Sequence, residues 1–167
     1  MSDARLEFIS RLAGRATAPL VRVGLGPARV LPSGKYIPIR WPTGLWFRQH
    51  TQNDDLHVFV YADRIAVRVH IDTFHGDRRR NDDALAVIRA EIQADLLARL
   101  PAHREINWRD AVGGNNQVCA IVRGSGVRRN DVEGDADWIV ATAGAWLDAL
   151  RLHPIPDLRS GVRAPLS

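Results

Sequence analysis

Leu56-His57-Val58-Phe59-Val60-Tyr61, a turn at Ala62-Asp63, and then Arg64-Ile65-Ala66-Val67-Arg68-Val69-His70-Ile71 together decide the fold class. Both runs are rich in the β-branched and aromatic residues that favour strands. In the second run Ile65, Val67, Val69 and Ile71 alternate with Arg64, Arg68 and His70. Successive side chains of a strand point to opposite faces. The pattern therefore predicts one buried face and one wet, basic face.

Toward the N-terminus, Tyr36 to Trp41 reads as another strand, with Pro38 marking an edge or a bulge. Pro42-Thr43-Gly44 is turn chemistry, and Leu45 to His50 reads as the hairpin partner. Leu6, Ile9 and Leu12 fall at helical spacing, which predicts a short helix over Ser2 to Leu12 stopped by Gly14. A Gly- and Pro-rich loop, Gly14 to Gly34, follows, with a short strand at Leu20 to Val23.

Toward the C-terminus, the spacing predicts a helix over Asn81 to Leu100. Asn81 is its cap, Asp82 and Asp83 lie in its first turn, and Leu85, Ile88, Ile92 and Leu96 form its core stripe. Arg104 to Trp108 and Gln117 to Arg123 read as short strands around the turn Gly113-Gly114-Asn115-Asn116. Gly124 to Gly134 reads as a polar, mobile loop. A last helix covers Ala136 to Leu152 and is stopped by Pro154 and Pro156. The order α-ββββ-α-ββ-α, with strands clustered rather than alternating with helices, predicts an α+β fold: an antiparallel sheet with helices packed on one face. No linker or repeat divides it, so residues 1–158 read as a single domain and 159–167 as a disordered tail.

The chain has 167 residues, 46% of them hydrophobic and 25% charged, and a net charge of +4. That is ordinary for one globular domain. Met1 to Glu7 carries acids and no apolar run, and no stretch is apolar enough to span a bilayer, so a cytoplasmic location is expected. Cys119 is the sole cysteine, set in the apolar run Val118 to Val122, and is expected to be a small buried hydrophobe. Lys35 is the only lysine among 23 basic residues; the rest are arginines, whose guanidinium groups bind phosphate bidentately and stack on aromatic planes.

The lone lysine excludes several chemistries. Gly34-Lys35 is followed by Tyr36, which is not a phosphate-binding loop. No acid stands two residues before Lys35, as a nuclease site of the Glu-x-Lys kind requires. Gly-x-Ser-x-Gly is absent, and Ser125 in Gly124-Ser125-Gly126 has no neighbouring signature. No cofactor motif is present. The one metal-like cluster is His70-x-Asp72-x-x-His75-x-Asp77, in which imidazoles and carboxylates suit zinc, iron or manganese. The arginines form clusters at Arg78-Arg79-Arg80 and at Arg123, Arg128 and Arg129. Arg68 lies on the wet strand face, and Arg40 and Arg48 bracket the aromatic hairpin. Arginine for phosphates together with aromatic rings for bases is the chemistry of single-stranded nucleic-acid binding. Acids beside both clusters (Asp77, Asp82 and Asp83; Asp131, Glu133, Asp135 and Asp137) are also what a solvated face of mixed charge looks like.

Further features carry a family resemblance. They are Arg68 to Asp72 ending a strand, Asn81 opening a helix that holds Leu85, Ile88, Glu91 and Ile92, Ile106-Asn107-Trp108, and Trp138, Trp146-Leu147 and Pro156-Asp157-Leu158. Over residues 68–158 the chain resembles an uncharacterised bacterial family, domain of unknown function 4268. The resemblance implies an accessory domain in DNA metabolism or mobile-element defence, and it brings no catalytic residues with it. The element order is also similar to type III secretion chaperone-like folds, a likeness of topology that does not fix function.

Three readings follow. The first is a non-enzymatic accessory or binding domain contacting nucleic acid through Arg68, Arg78, Arg79, Arg80, Arg123, Arg128 and Arg129. The second is a protein-interaction, chaperone-like or homodimeric module using the hairpin residues Trp41, Trp46 and Phe47. The third is a metal-dependent enzyme built on His70, Asp72, His75 and Asp77.

Overall fold

The run that decides the fold class forms two antiparallel strands, β2 (Leu56–Val60) and β3 (Arg64–Ile71), paired with Val58 opposite Val67 and Val60 opposite Ile65. The computed structural model describes residues 2–42, 45, 55–71, 77–108 and 117–153. Around this pair stand β1 (Ile37–Ile39), β4 (Glu105–Asn107) and β5 (Gln117–Gly124), giving the sheet order β1-β2-β3-β5-β4 with every neighbour antiparallel. The helices are α1 (Asp3–Arg22), α2 (Arg78–Arg99) and α3 (Val132–Leu152). Among the described residues the order is α-βββ-α-ββ-α. The α+β architecture is the expected one. Of the expected strand Leu45 to His50, residues 46–50 lie outside the described residues, as do the turn 113–116 and the tail 159–167.

The period-two pattern sets the core. Val58, Val60, Ile65, Val67, Val69, Cys119 and Ile121 are buried on the helix-covered face of the sheet. Helices α2 and α3 pack against β3 and β5, and α1 packs mainly on α3. Trp41, Trp108, Trp138 and Trp146 are all buried, with Trp108 and Trp146 edge to face at 5.8 Å. The Trp138 indole donates to the Ala102 carbonyl oxygen at 3.0 Å, a partner that a buried indole N–H needs. No helix of the described residues is long and apolar enough to cross a membrane.

Three sequence expectations are corrected. First, α1 does not stop at Gly14. Its buried stripe, Phe8, Ile9, Leu12, Ala13, Ala16 and Leu20, runs on past the glycine, and residues 20–22 are helix rather than strand. The stop is at Gly24, which has φ +98°; its N–H donates to Val21 O and that of Leu25 to Leu20 O, the paired bonds of a Schellman cap. Gly14 lies on the solvent side, where an added Cβ meets nothing within 4 Å. Gly14→Ala is therefore expected to stabilise the protein by about 0.5–1 kcal/mol, since alanine loses less backbone entropy in a helix. Chemical denaturation reads this directly; a loss of stability would restore Gly14 as the helix stop.

Second, α2 begins at Arg78 because Asp77, not Asn81, caps it, its Oδ1 accepting from the Arg80 N–H at 3.1 Å. Third, the segment after β5 is tied down. Ser125, Val127 and Arg128 donate their N–H groups to the carbonyls of Asp63, Tyr61 and Ala62 in the β2–β3 turn. Asp131 then caps α3, its Oδ1 accepting from the Gly134 N–H at 3.0 Å, so the helix starts at Val132. At the far side of the sheet, Pro38 does sit on an edge strand. Gly26 N–H donates to Arg40 O and Arg29 N–H to Pro38 O, which occupies part of the outer side of β1.

Candidate nucleic-acid interface

The face of the sheet turned away from the helices carries the other half of the alternation. On β2 this is His57 and Phe59, and on β3 Ala66, Arg68 and His70; His57 stands opposite Arg68 and Phe59 opposite Ala66. Tyr61 follows β2 and is tied to Arg64 by the Tyr61 N–H to Arg64 O bond. Tyr36, just before β1, stacks on His57 with ring centroids 4.0 Å apart and lies 5.6 Å from Phe59.

Two guanidinium groups lie on this aromatic row. Arg68 Cζ sits 4.1 Å above the Phe59 ring, and its Nη2 donates to Tyr61 Oη at 3.3 Å. Arg64 Cζ sits 4.6 Å above the Tyr61 ring. Phe59 and Tyr61 are stacked nearly parallel, 16° between planes at 6.5 Å. Arg64 is exposed, and Tyr36, Phe59, Tyr61 and Arg68 are half-buried. Toward the other end His57 and His70 are buried, with centroids 4.2 Å apart. Burial first, and then the neighbouring His57 and Arg68, pushes the His70 imidazole down to about 3. It is therefore neutral near pH 7.

Of the arginines singled out in the sequence, Arg68 belongs to this face. Arg78, Arg79 and Arg80 are exposed on the first turn of α2, and Arg128 and Arg129 are exposed in the turn before α3. These two groups do not converge. Helix α2 starts beyond the Ile71 end of β3 and ends where the chain enters β4 beside Val122, near the Gly124 end. Its 22 residues span roughly 33 Å at 1.5 Å each.

Arg123 is not a surface group awaiting a ligand. The register sets it opposite Ile65, on the helix side, where it donates to the Gly134 carbonyl at 2.5 Å and lies 3.5 Å from Asp135 and 3.9 Å from Asp131. Trp41 is 1% exposed and packs in the core, so it offers no docking surface. Asp77 is spent on capping α2. Trp46, Phe47, Asp72 and His75 lie outside the described residues, and among those described no three metal-binding side chains gather.

No family model, curated protein or solved structure matches this chain. The resemblance over residues 68–158 thus stands on its short motifs, and the site on its own geometry.

The sequence alone does not single out Phe59, Tyr61, Tyr36, His57 and Arg64 as site residues. The signal was present as the same alternation in residues 56–61, but a run in which both faces are apolar or aromatic hides which residues face the core.

Beneath the Arg64 end of the sheet, Asp135 is fully buried in the first turn of α3, and neither carboxylate oxygen makes a well-formed hydrogen bond. Burial raises its pKa, outweighing the nearby Ser125 hydroxyl, Arg123 guanidinium and Gly126 N–H that pull it down. A raised native pKa means that the folded protein holds this proton where the unfolded chain has lost it. Stability from this group is therefore full below the ordinary value of 3.8 and is lost as pH rises through the raised value. Asp135→Asn is expected to flatten the pH dependence of thermal unfolding across that acidic window. An unchanged slope would assign the dependence to other groups.

Proposed function

We propose that this chain is a non-enzymatic binding domain that holds single-stranded nucleic acid against the helix-free face of its sheet. The observation that carries the reading is the pair of guanidinium groups lying on aromatic rings, Arg68 on Phe59 and Arg64 on Tyr61. Arginine supplies bidentate donors for phosphate, and half-exposed rings offer π-faces on which any base can stack. The net charge of +4 favours a polyanion. Both arginines come from one strand and both rings from β2 and its turn, so the sheet holds their spacing rigidly.

The test is anisotropy of labelled single-stranded and duplex oligonucleotides across a salt series. Preferred binding of single strands that weakens steeply with salt is the expected result. Absence of binding at low salt, or affinity indifferent to salt, would reject the reading.

A further inference from the structure

We propose that His57 and His70, at the far end of the same sheet face, together bind a first-row divalent transition-metal ion, copper(II) most tightly. His70 is nine-tenths buried, and neither of its ring nitrogens has a hydrogen-bond partner. A polar group buried in this way is costly, and such groups in native proteins commonly mark an ion or a water. The neighbouring imidazole of His57 lies 4.2 Å away, ring centre to ring centre, on the adjacent strand. Two imidazoles from a paired β2 and β3 are held at fixed separation by the ladder between them.

The chemistry of the donors selects the ion. Neutral imidazole is a borderline ligand that suits copper, nickel and zinc, and the affinity order of such nitrogen sites peaks at copper(II). Among the described residues the ligand set is two imidazoles, which leaves positions for solvent or an added ligand. Arg68 stands opposite His57 and opposes a cation, but its guanidinium is turned onto Phe59 and Tyr61. Its charge favours an anion on the open positions. Tyr36 stacked on His57 fixes the plane of that ring.

Titration of the untagged protein with Cu²⁺, read by calorimetry and electron paramagnetic resonance, tests the proposal. Saturable binding of one equivalent, with hyperfine coupling to two imidazole nitrogens, is expected. His70→Phe and His57→Phe, which keep ring volume and remove the nitrogens, should each abolish it, while His103→Ala and His153→Ala should not. Copper should raise the melting temperature of the parent and leave that of His70→Phe unchanged. No saturable binding, or binding undiminished in both phenylalanine variants, overturns the site. A His70→Phe variant more stable than a parent that takes up no metal shows that the orphaned nitrogens were served by water or by nothing. If neither variant folds, the imidazole ¹⁵N shifts of the parent with and without Zn²⁺ decide, since coordination moves the His70 resonances and an unoccupied ring does not. Nucleic-acid binding is measured on metal-free protein with Arg64 and Arg68 intact, so failure of the metal site and failure of the interface remain distinguishable.

Discussion

Gly126→Ala is expected to destabilise the protein by roughly 3 kcal/mol, lowering the melting temperature by about 6–12 °C. Two effects add. Gly126 has φ +99°, a conformation that L side chains rarely adopt. A Cβ built there also overlaps the Tyr61 carbonyl oxygen and comes within 2.8 Å of the Arg64 nitrogen, both backbone atoms that cannot step aside. The turn is fixed on either side of the glycine, because Ser125, Val127 and Arg128 all donate to carbonyls between Tyr61 and Asp63. Relief of the overlap therefore requires breaking these bonds. Urea denaturation of parent and variant is the measurement, and a difference below about 0.5 kcal/mol, the range of ordinary surface changes, would show that the turn is not locked as described.

The second large effect is on binding. Arg64→Ala/Arg68→Ala removes two cations from the aromatic face, and the slope of log affinity against log salt for a single strand should shrink by about 1.4. Phe59→Ala should weaken binding by roughly 1–3 kcal/mol with the salt slope unchanged, because it removes a stacking surface and no charge. The two variants thus separate phosphate contact from base contact. Arg123→Ala is the contrasting substitution: since that guanidinium is held by Gly134, Asp131 and Asp135, its loss should lower stability and leave the salt slope unaltered. A fall in slope for Arg123→Ala equal to that of the double variant would relocate the interface to the α3 end.

Much of this was legible in the residues, and what was not has specific physical causes. Strict alternation from Arg64 to Ile71 carries the sheet, its buried side and its basic side, because a period of two has only one reading when polar and apolar residues are cleanly sorted. Gly14 misled because a glycine in a helix costs about 1 kcal/mol and is not a stop in itself. The stripe that continues through Ala16 and Leu20 outweighs it. The start of α2 is ambiguous in sequence because Asp77 and Asn81, one turn apart, are both capable caps, and only the structure tells that the Asp77 carboxylate meets the free N–H of Arg80. Arg123 looked like part of a surface cluster with Arg128 and Arg129. Its face depends on the register of β5 against β3, which is a long-range pairing that no local pattern encodes.

The packing of α1 on α3 joins the two ends of the described chain, with Arg15 paired to Glu133 and Arg11 to Asn130. During synthesis the apolar stripe of α1 emerges well before α3, its main partner. At about 5–20 residues per second, the ribosome takes several seconds to deliver the intervening hundred or so residues. Through that interval Phe8, Ile9, Leu12 and Leu20 lack their final cover, so a nascent chain is open to chaperone capture and a prematurely terminated one has no way to shield them. Among the described elements, α3 is the one whose arrival covers that stripe.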